Sequence, residues 1–123
     1  MRTQTLPNRI GGKERRMTFD QWFRHAFGTS LPEPFGTYLA NHPRGVENGY
    51  GPRLWPADRI REETQDRRLV EKGVCLIGAS DSIRHILLRA SDGKVFVVDS
   101  RNHRSVDATF ACVDTLIGLL KLE

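Results

Sequence analysis

Cys75, His85 and Asp99 supply a thiol, an imidazole and a carboxylate in the second half of the chain. These are the three groups of a small cysteine hydrolase. A nucleophilic thiol needs an exposed, electropositive setting. Val74-Cys75-Leu76-Ile77 reads instead as a packed strand, which favours a core thiol, and His85 reads as a satisfied core or edge histidine. A second grouping, "DSRNHRS" (99–105), gathers Asp99, Arg101, His103 and Arg104 in the connection after a strand. That is a phosphodiesterase-like set without a second acid–base partner, so contact with another protein is favoured over chemistry. The third is "RGVENGYGPRLW", from Arg44 to Trp55, with Gly45, Gly49 and Gly51. A phosphate cradle needs a strand, then G-x-x-x-x-G-K-[ST], then a helix. Here a helix precedes the glycines, Lys-Ser or Lys-Thr is missing, and G-x-G-x-x-G is absent, so a surface loop is favoured. His25, His42, His85 and His103 show no metal-ligand spacing and no cysteine pair supports them, so neither metal nor cofactor is expected.

The elements that must position these residues are legible in part. Thr18-Phe19-Asp20-Gln21 fits a capping box, and Phe19, Trp22, Phe23, Ala26 and Phe27 then follow the helical period up to Gly28. A second helix is expected with Ser30 as its cap, Pro32 in its first turn and Glu33 at its third position; Asn41-His42-Pro43 stops it. Leu54-Trp55 predicts a short strand. "RIREETQDRRL" predicts a charged third helix anchored by Ile60. "GVCLIG" (73–78) is a buried-strand pattern. "IRHILLRA" (83–90) and "KVFVVD" (94–99) flank Ser91-Asp92-Gly93, a strong hairpin signal. "SVDATFACVDTLIGLLKL" keeps the helical period through Phe110, Val113, Ile117 and Leu120, with Ser105 or Asp107 as cap. The expected fold class is α+β, an antiparallel-rich mixed sheet covered by helices.

With 123 residues, 38% hydrophobic and 28% charged, the chain suits one globular domain with its own core. No apolar run approaches the roughly 20 residues of a membrane span, and "MRTQTLPNRIGGKERR" lacks the apolar segment of a secretory signal. Cys75 and Cys112 sit among apolar neighbours as free thiols, which fits a reducing compartment, and a cytoplasmic location is expected. The net charge of +4 resides wholly in residues 1–16, where Arg2, Arg9, Lys13, Arg15 and Arg16 face Glu14 alone. The chain therefore divides into a basic N-terminal tail, 1–16, and a charge-balanced domain, 17–123. Met17, directly before the first helix, is an alternative start. A basic tail can touch phosphates, but solvated tails are common.

Several segments line up in a recognisable order. "LPEPFGTYLANHPRG", "RLWPADRIREE", "GVCLIGAS", "IRHILLRASDGKVFVVD" and "SVDATFACVDTLIGLL", with its Thr109-Phe110 pair, together resemble the SUKH superfamily over residues 17–123. That superfamily includes the yeast cell-wall synthesis regulator and many bacterial immunity proteins. Where the family often shows Asn-Gly-Gly, this chain has Asn41-His42-Pro43-Arg44-Gly45. The resemblance implies a SUKH-like fold and a non-enzymatic binding function, neutralisation of a cognate polymorphic toxin whose gene lies beside this one.

The residues themselves point the same way. Arg44, Glu47, Asn48, Tyr50, Arg53 and Trp55 offer charge, aromatic area and backbone freedom, and Arg101, His103 and Arg104 add a second polar stretch. Tyr, Trp and Arg are enriched at interface hot spots. All nine are candidate partner contacts. An inhibitor of a basic nuclease is expected to be acidic, so the neutral body favours a toxin of another kind. Two alternatives remain: a nucleic-acid-associated protein using the basic tail, and a small Cys/His hydrolase. The oligomeric state is left open.

Overall fold

The computed structural model describes residues 17–47 and 52–121. The basic tail, with Arg2, Arg9, Lys13, Arg15 and Arg16, lies outside the described residues, as do Asn48, Gly49, Tyr50 and Gly51.

Helix α1 (Phe19–Phe27) starts as its capping box requires. The Gln21 amide donates to Thr18 Oγ1 at 3.1 Å and the Thr18 amide donates to Gln21 Oε1 at 3.0 Å. Each bond satisfies an amide that the first helical turn leaves without an intrahelical partner. The helix stops at Gly28, whose amide returns to the Arg24 carbonyl at 2.9 Å. Its apolar stripe buries Trp22 and Phe23, with Phe19, Ala26 and Phe27 packed at their margins.

Helix α2 (Phe35–Asn41) begins later than expected. Ser30 does not cap it and Pro32 is not in its first turn. Pro34 stands at the N-cap position and makes no side-chain cap bond. The reason is local: helical geometry is disfavoured for a residue directly before proline, and Glu33 stands outside the helix. Glu33 acts from outside the helix instead. Its Oε1 accepts from the Thr37 amide at 3.1 Å and from the Thr37 hydroxyl at 2.8 Å. Phe35 and Tyr38 turn inward and are buried.

A two-residue strand β1 (Val46–Glu47) pairs with β2 (Arg53–Leu54). Helix α3 (Ala57–Asp66) follows and leads into a 3-10 turn (Leu69–Lys72). Strands β3 (Val74–Asp81), β4 (Arg84–Arg89), β5 (Val95–Asp99) and β6 (Asn102–Phe110) complete the sheet, and α4 (Val113–Lys121) closes the chain. The sheet has six strands in chain order, β1-β2-β3-β4-β5-β6. Every described pairing is antiparallel, so the parallel part of a mixed sheet is absent among them. The fold is α+β.

The Asp-Gly hairpin forms between β4 and β5. Asp92 Oδ1 accepts from the Lys94 amide at 3.1 Å, and the Asp92 carboxylate takes two bonds from the Arg89 guanidinium. The closing helix is shorter than its sequence pattern. Residues 102–110 are strand, so neither Ser105 nor Asp107 caps a helix. Val113 and Ile117 keep the expected inward face, while the Leu120 side chain lies outside the described residues.

The core sits on both sides of the central strands. Ile86, Leu87 and Leu88 are all buried in succession. Successive strand side chains point to opposite faces, so both faces of β4 are covered. Helix α3 contributes Ile60, fully buried as expected, and Thr64, the one buried polar residue among those described. Thr64 has a task. Strand β2 reaches only Gly78 and Ala79 of β3, and the Leu76 amide instead donates to Thr64 Oγ1 at 3.0 Å. Beyond β2, the helix thus satisfies the edge that the short strand leaves open. Gly78 allows β2 to approach at all, because a Cβ there would collide with the Arg53 carbonyl oxygen.

Candidate partner-binding edge and a histidine pair

The nine sequence-predicted contact residues do not form one patch. Arg44, Glu47 and Arg53 are exposed beside the β1–β2 ribbon, with Glu47 directly opposite Arg53. Arg101, His103 and Arg104 belong to the β5–β6 turn and to β6. These two groups occupy opposite edges of the sheet. Five strand spacings separate β1 from β6, about 24 Å at the usual spacing. Asn48 and Tyr50 lie outside the described residues. Gly45 holds its end of the ribbon tight. Its φ is +80°, and a Cβ would collide with the Leu54 carbonyl oxygen.

Trp55 is a correction. It is only 7% exposed and belongs to the core. Its amide donates to the Ile77 carbonyl at 2.8 Å, its carbonyl accepts the Tyr38 hydroxyl at 3.0 Å, and the Arg59 guanidinium lies 4.2 Å over its ring. A residue placed this way holds the sheet to its helices and offers no area to a partner. Its interface-rich residue type misleads because an indole serves a core as well as a surface.

The postulated Cys75–His85–Asp99 set does not assemble. Cys75 stands opposite Leu88 and Asp99 opposite Arg84, whereas His85 stands opposite Ala79 and Val98. By strand alternation His85 points to the other face from Leu88 and Arg84. Cys75 is also fully buried, and burial pushes its thiol up to about 12. Only the thiolate is a nucleophile, so this sulfur is silent near neutral pH. Thiol labelling of the native protein is expected to modify half-buried Cys112 first, with Cys75 reacting only after unfolding. Rapid native labelling of Cys75, read by peptide mass spectrometry, would contradict this placement.

What the structure does assemble was missed in the sequence. His85 Nδ1 and His103 Nε2 are 3.1 Å apart, with the rings nearly edge-on at 5.3 Å. Either nitrogen can carry the shared hydrogen. Both imidazoles are held below the ordinary histidine value of 6.5. For His85 the causes are burial first, then the charge of Arg67 and the presence of His103; for His103 they are burial, then Lys72 and Arg67. Glu63 and Asp99 pull the other way, on His85 and His103 respectively. The pairing could have been suspected only with the hairpin register in hand, since the two residues are 18 apart.

The pair exists because β6 leaves its ladder. Val95, Phe96 and Val97 face Phe110, Thr109 and Ala108 in regular register. Val98 then faces Val106, and Asp99 already faces Asn102. His103, Arg104 and Ser105 are therefore extra residues with no partner on β5, a bulge of the kind found at sheet edges. Asp107 is skipped too, and its carboxylate accepts from Arg84, which also bonds Asp81 at 2.9 Å. Along most of its length β6 is exposed, Val106 at 49%. Arg101, its side chain 82% exposed, lies 3.8 Å from Asp99. Arg104 is exposed and makes no ion pair among the described residues.

These features define an α+β protein with an antiparallel sheet whose last strand is an open, polar edge. Comparison with protein-family models, with curated proteins and with solved structures finds no match for the chain. Among the described residues no helix is long and apolar enough to cross a membrane.

Proposed function

We propose that this chain is a SUKH-like immunity protein of the cytoplasm, which neutralises a cognate polymorphic toxin by stoichiometric binding and without a reaction of its own. The observation that carries the reading is the β6 edge. It presents nine residues of strand whose outer side pairs with nothing among the described residues, and it brings Arg101 and Arg104 to one end. Unpaired strand edges are sites of protein association. The ordered resemblance of residues 17–123 to the SUKH superfamily supplies the kind of partner. Because the acids at this end are occupied, Asp81 and Asp107 by Arg84 and Asp99 by Arg101, Arg104 is the cation left without an ion pair among the described residues. The complementary toxin surface is therefore acidic.

The test is co-expression with the product of the adjacent gene. Rescue from toxicity and a stable complex are expected. The double variant Arg101→Glu, Arg104→Glu is expected to weaken that complex about tenfold or more, as loss of central arginine contacts does, with unchanged thermal stability. Toxicity without rescue or complex removes the immunity reading. A complex indifferent to the double variant places the interface on another surface, the β1–β2 edge being the next to test.

A further inference from the structure

The bulged part of β6 has few ties to the sheet. His103, Arg104 and Ser105 have no opposite residues on β5, and the Arg104 amide is used locally, donating to Asn102 Oδ1 at 3.1 Å. Within these three residues one side-chain bond reaches across β5 to β4, from His103 to His85, and the next tie of β6 to β4 is the ion pair of Asp107 with Arg84. The groups that face this bond are known from every packed element: Glu63 and Arg67 from α3 and its cap, Lys72 from the 3-10 turn, and Asp99 from β5. Glu63 is engaged by Arg67 at 3.1 Å, and Asp99 Oδ1 accepts from the Arg101 amide at 2.7 Å. The surroundings thus favour neutral rings. They also suit a metal ion poorly, since cations stand beside the pair and no three ligands converge among the described residues.

We propose that the His85–His103 pair is a proton-operated latch, which fastens the bulged start of β6 across β5 when both rings are neutral and lets it go when both are charged. Two neutral imidazoles share one hydrogen, one ring donating and the other accepting. A first proton leaves a donor and an acceptor, so the bond survives. A second proton turns both nitrogens into donors and sets two cations face to face, with Arg67 and Lys72 close by. The bond is then lost and the repulsion is relieved only by separation.

The direction follows from linkage. Closing the latch lowers the affinity of both rings for protons, so the closed form binds fewer protons than the open one. Stability of the closed form is complete above the ordinary value of 6.5 and is lost as pH falls through the lowered values of the closed pair. Each unit of lowering at one ring corresponds to about a tenfold change in the closing equilibrium. The latch is a property of the free chain and is tested without a partner, so its outcome stands apart from the toxin-binding reading.

The experiment is NMR on the intact chain between about pH 7.5 and about pH 5, a range that brackets histidine titration. Both rings are expected to titrate below 6.5 in a coupled manner. Over the same range the hydrogen-exchange protection factors of residues 103–106 are expected to fall about tenfold or more, while those of the β3–β4 ladder hold. In His85→Leu the 103–106 amides are expected to be poorly protected at every pH. Independent titration of the two histidines near 6.5 overturns the proposal, as does protection at 103–106 that ignores pH. If His85→Leu does not fold, the wild-type titration and exchange data decide the matter alone.

Discussion

Trp55→Ala is expected to destabilise the protein by about 3–5 kcal/mol, the usual cost of truncating a buried tryptophan. Little of the indole reaches solvent, so its removal leaves a cavity between the end of β2 and the start of α3. The backbone bonds at this position, from the amide to Ile77 and from Tyr38 to the carbonyl, do not depend on the side chain. They hold the cavity walls in place and limit collapse, which keeps the cost high. The Arg59 guanidinium also loses the ring beneath it, a contact worth about 0.5–1 kcal/mol at an exposed site. Because domains of this size are stable by only about 5–15 kcal/mol, a large fall in the urea midpoint is expected, read by far-UV circular dichroism. An interface tryptophan would behave oppositely, with stability kept and partner binding lost. That result would return Trp55 to the list of partner contacts.

Phe23→Ala is expected to cost about as much, again about 3–5 kcal/mol. Phe23 is fully buried in α1, with its ring 4.7 Å from Phe27, 6.3 Å from Phe19 and 6.4 Å from Trp22. Each such pair adds about 0.5–1.5 kcal/mol beyond simple burial, so truncation removes both transfer energy and ring contacts. Phe19→Ala is the internal comparison. Phe19 lies at the margin of the same cluster, only partly buried, and its loss is expected to be the smaller. The capping box of α1 is intact in both variants, so the helix start is unaffected. Equal urea midpoints for wild type and Phe23→Ala would mean that α1 does not anchor the core as described.

The sequence by itself determined what depends on near neighbours. The capping box at Thr18 and Gln21, the Trp22–Phe23 stripe, the burial of Ile60 and the Asp92 turn all follow from bonds or periods spanning a few residues. A helix closes its hydrogen bonds four residues away, so its start and inward face are written locally. The misreading at α2 was also local: the effect of Pro34 on Glu33 outweighed an apparently good cap at Ser30.

The end of the chain shows the other side. Residues 105–110 fit a helical period equally well, yet they are strand. The edge of β5 at Val95, Phe96 and Val97 needs a partner, and Phe110, Thr109 and Ala108 supply it. Nothing within the segment announces that demand, because strand bonds are made to a distant part of the chain. The same non-locality governs the candidate site. Composition could nominate Arg44, Glu47, Arg53, Arg101, His103 and Arg104, but only the strand order sends the first three to one edge and the last three to the other. Residue type could nominate Trp55 for a surface, and only packing put it in the core. The meeting of His85 and His103 needs the β4–β5 register and the β6 bulge together, so tertiary structure alone decided it.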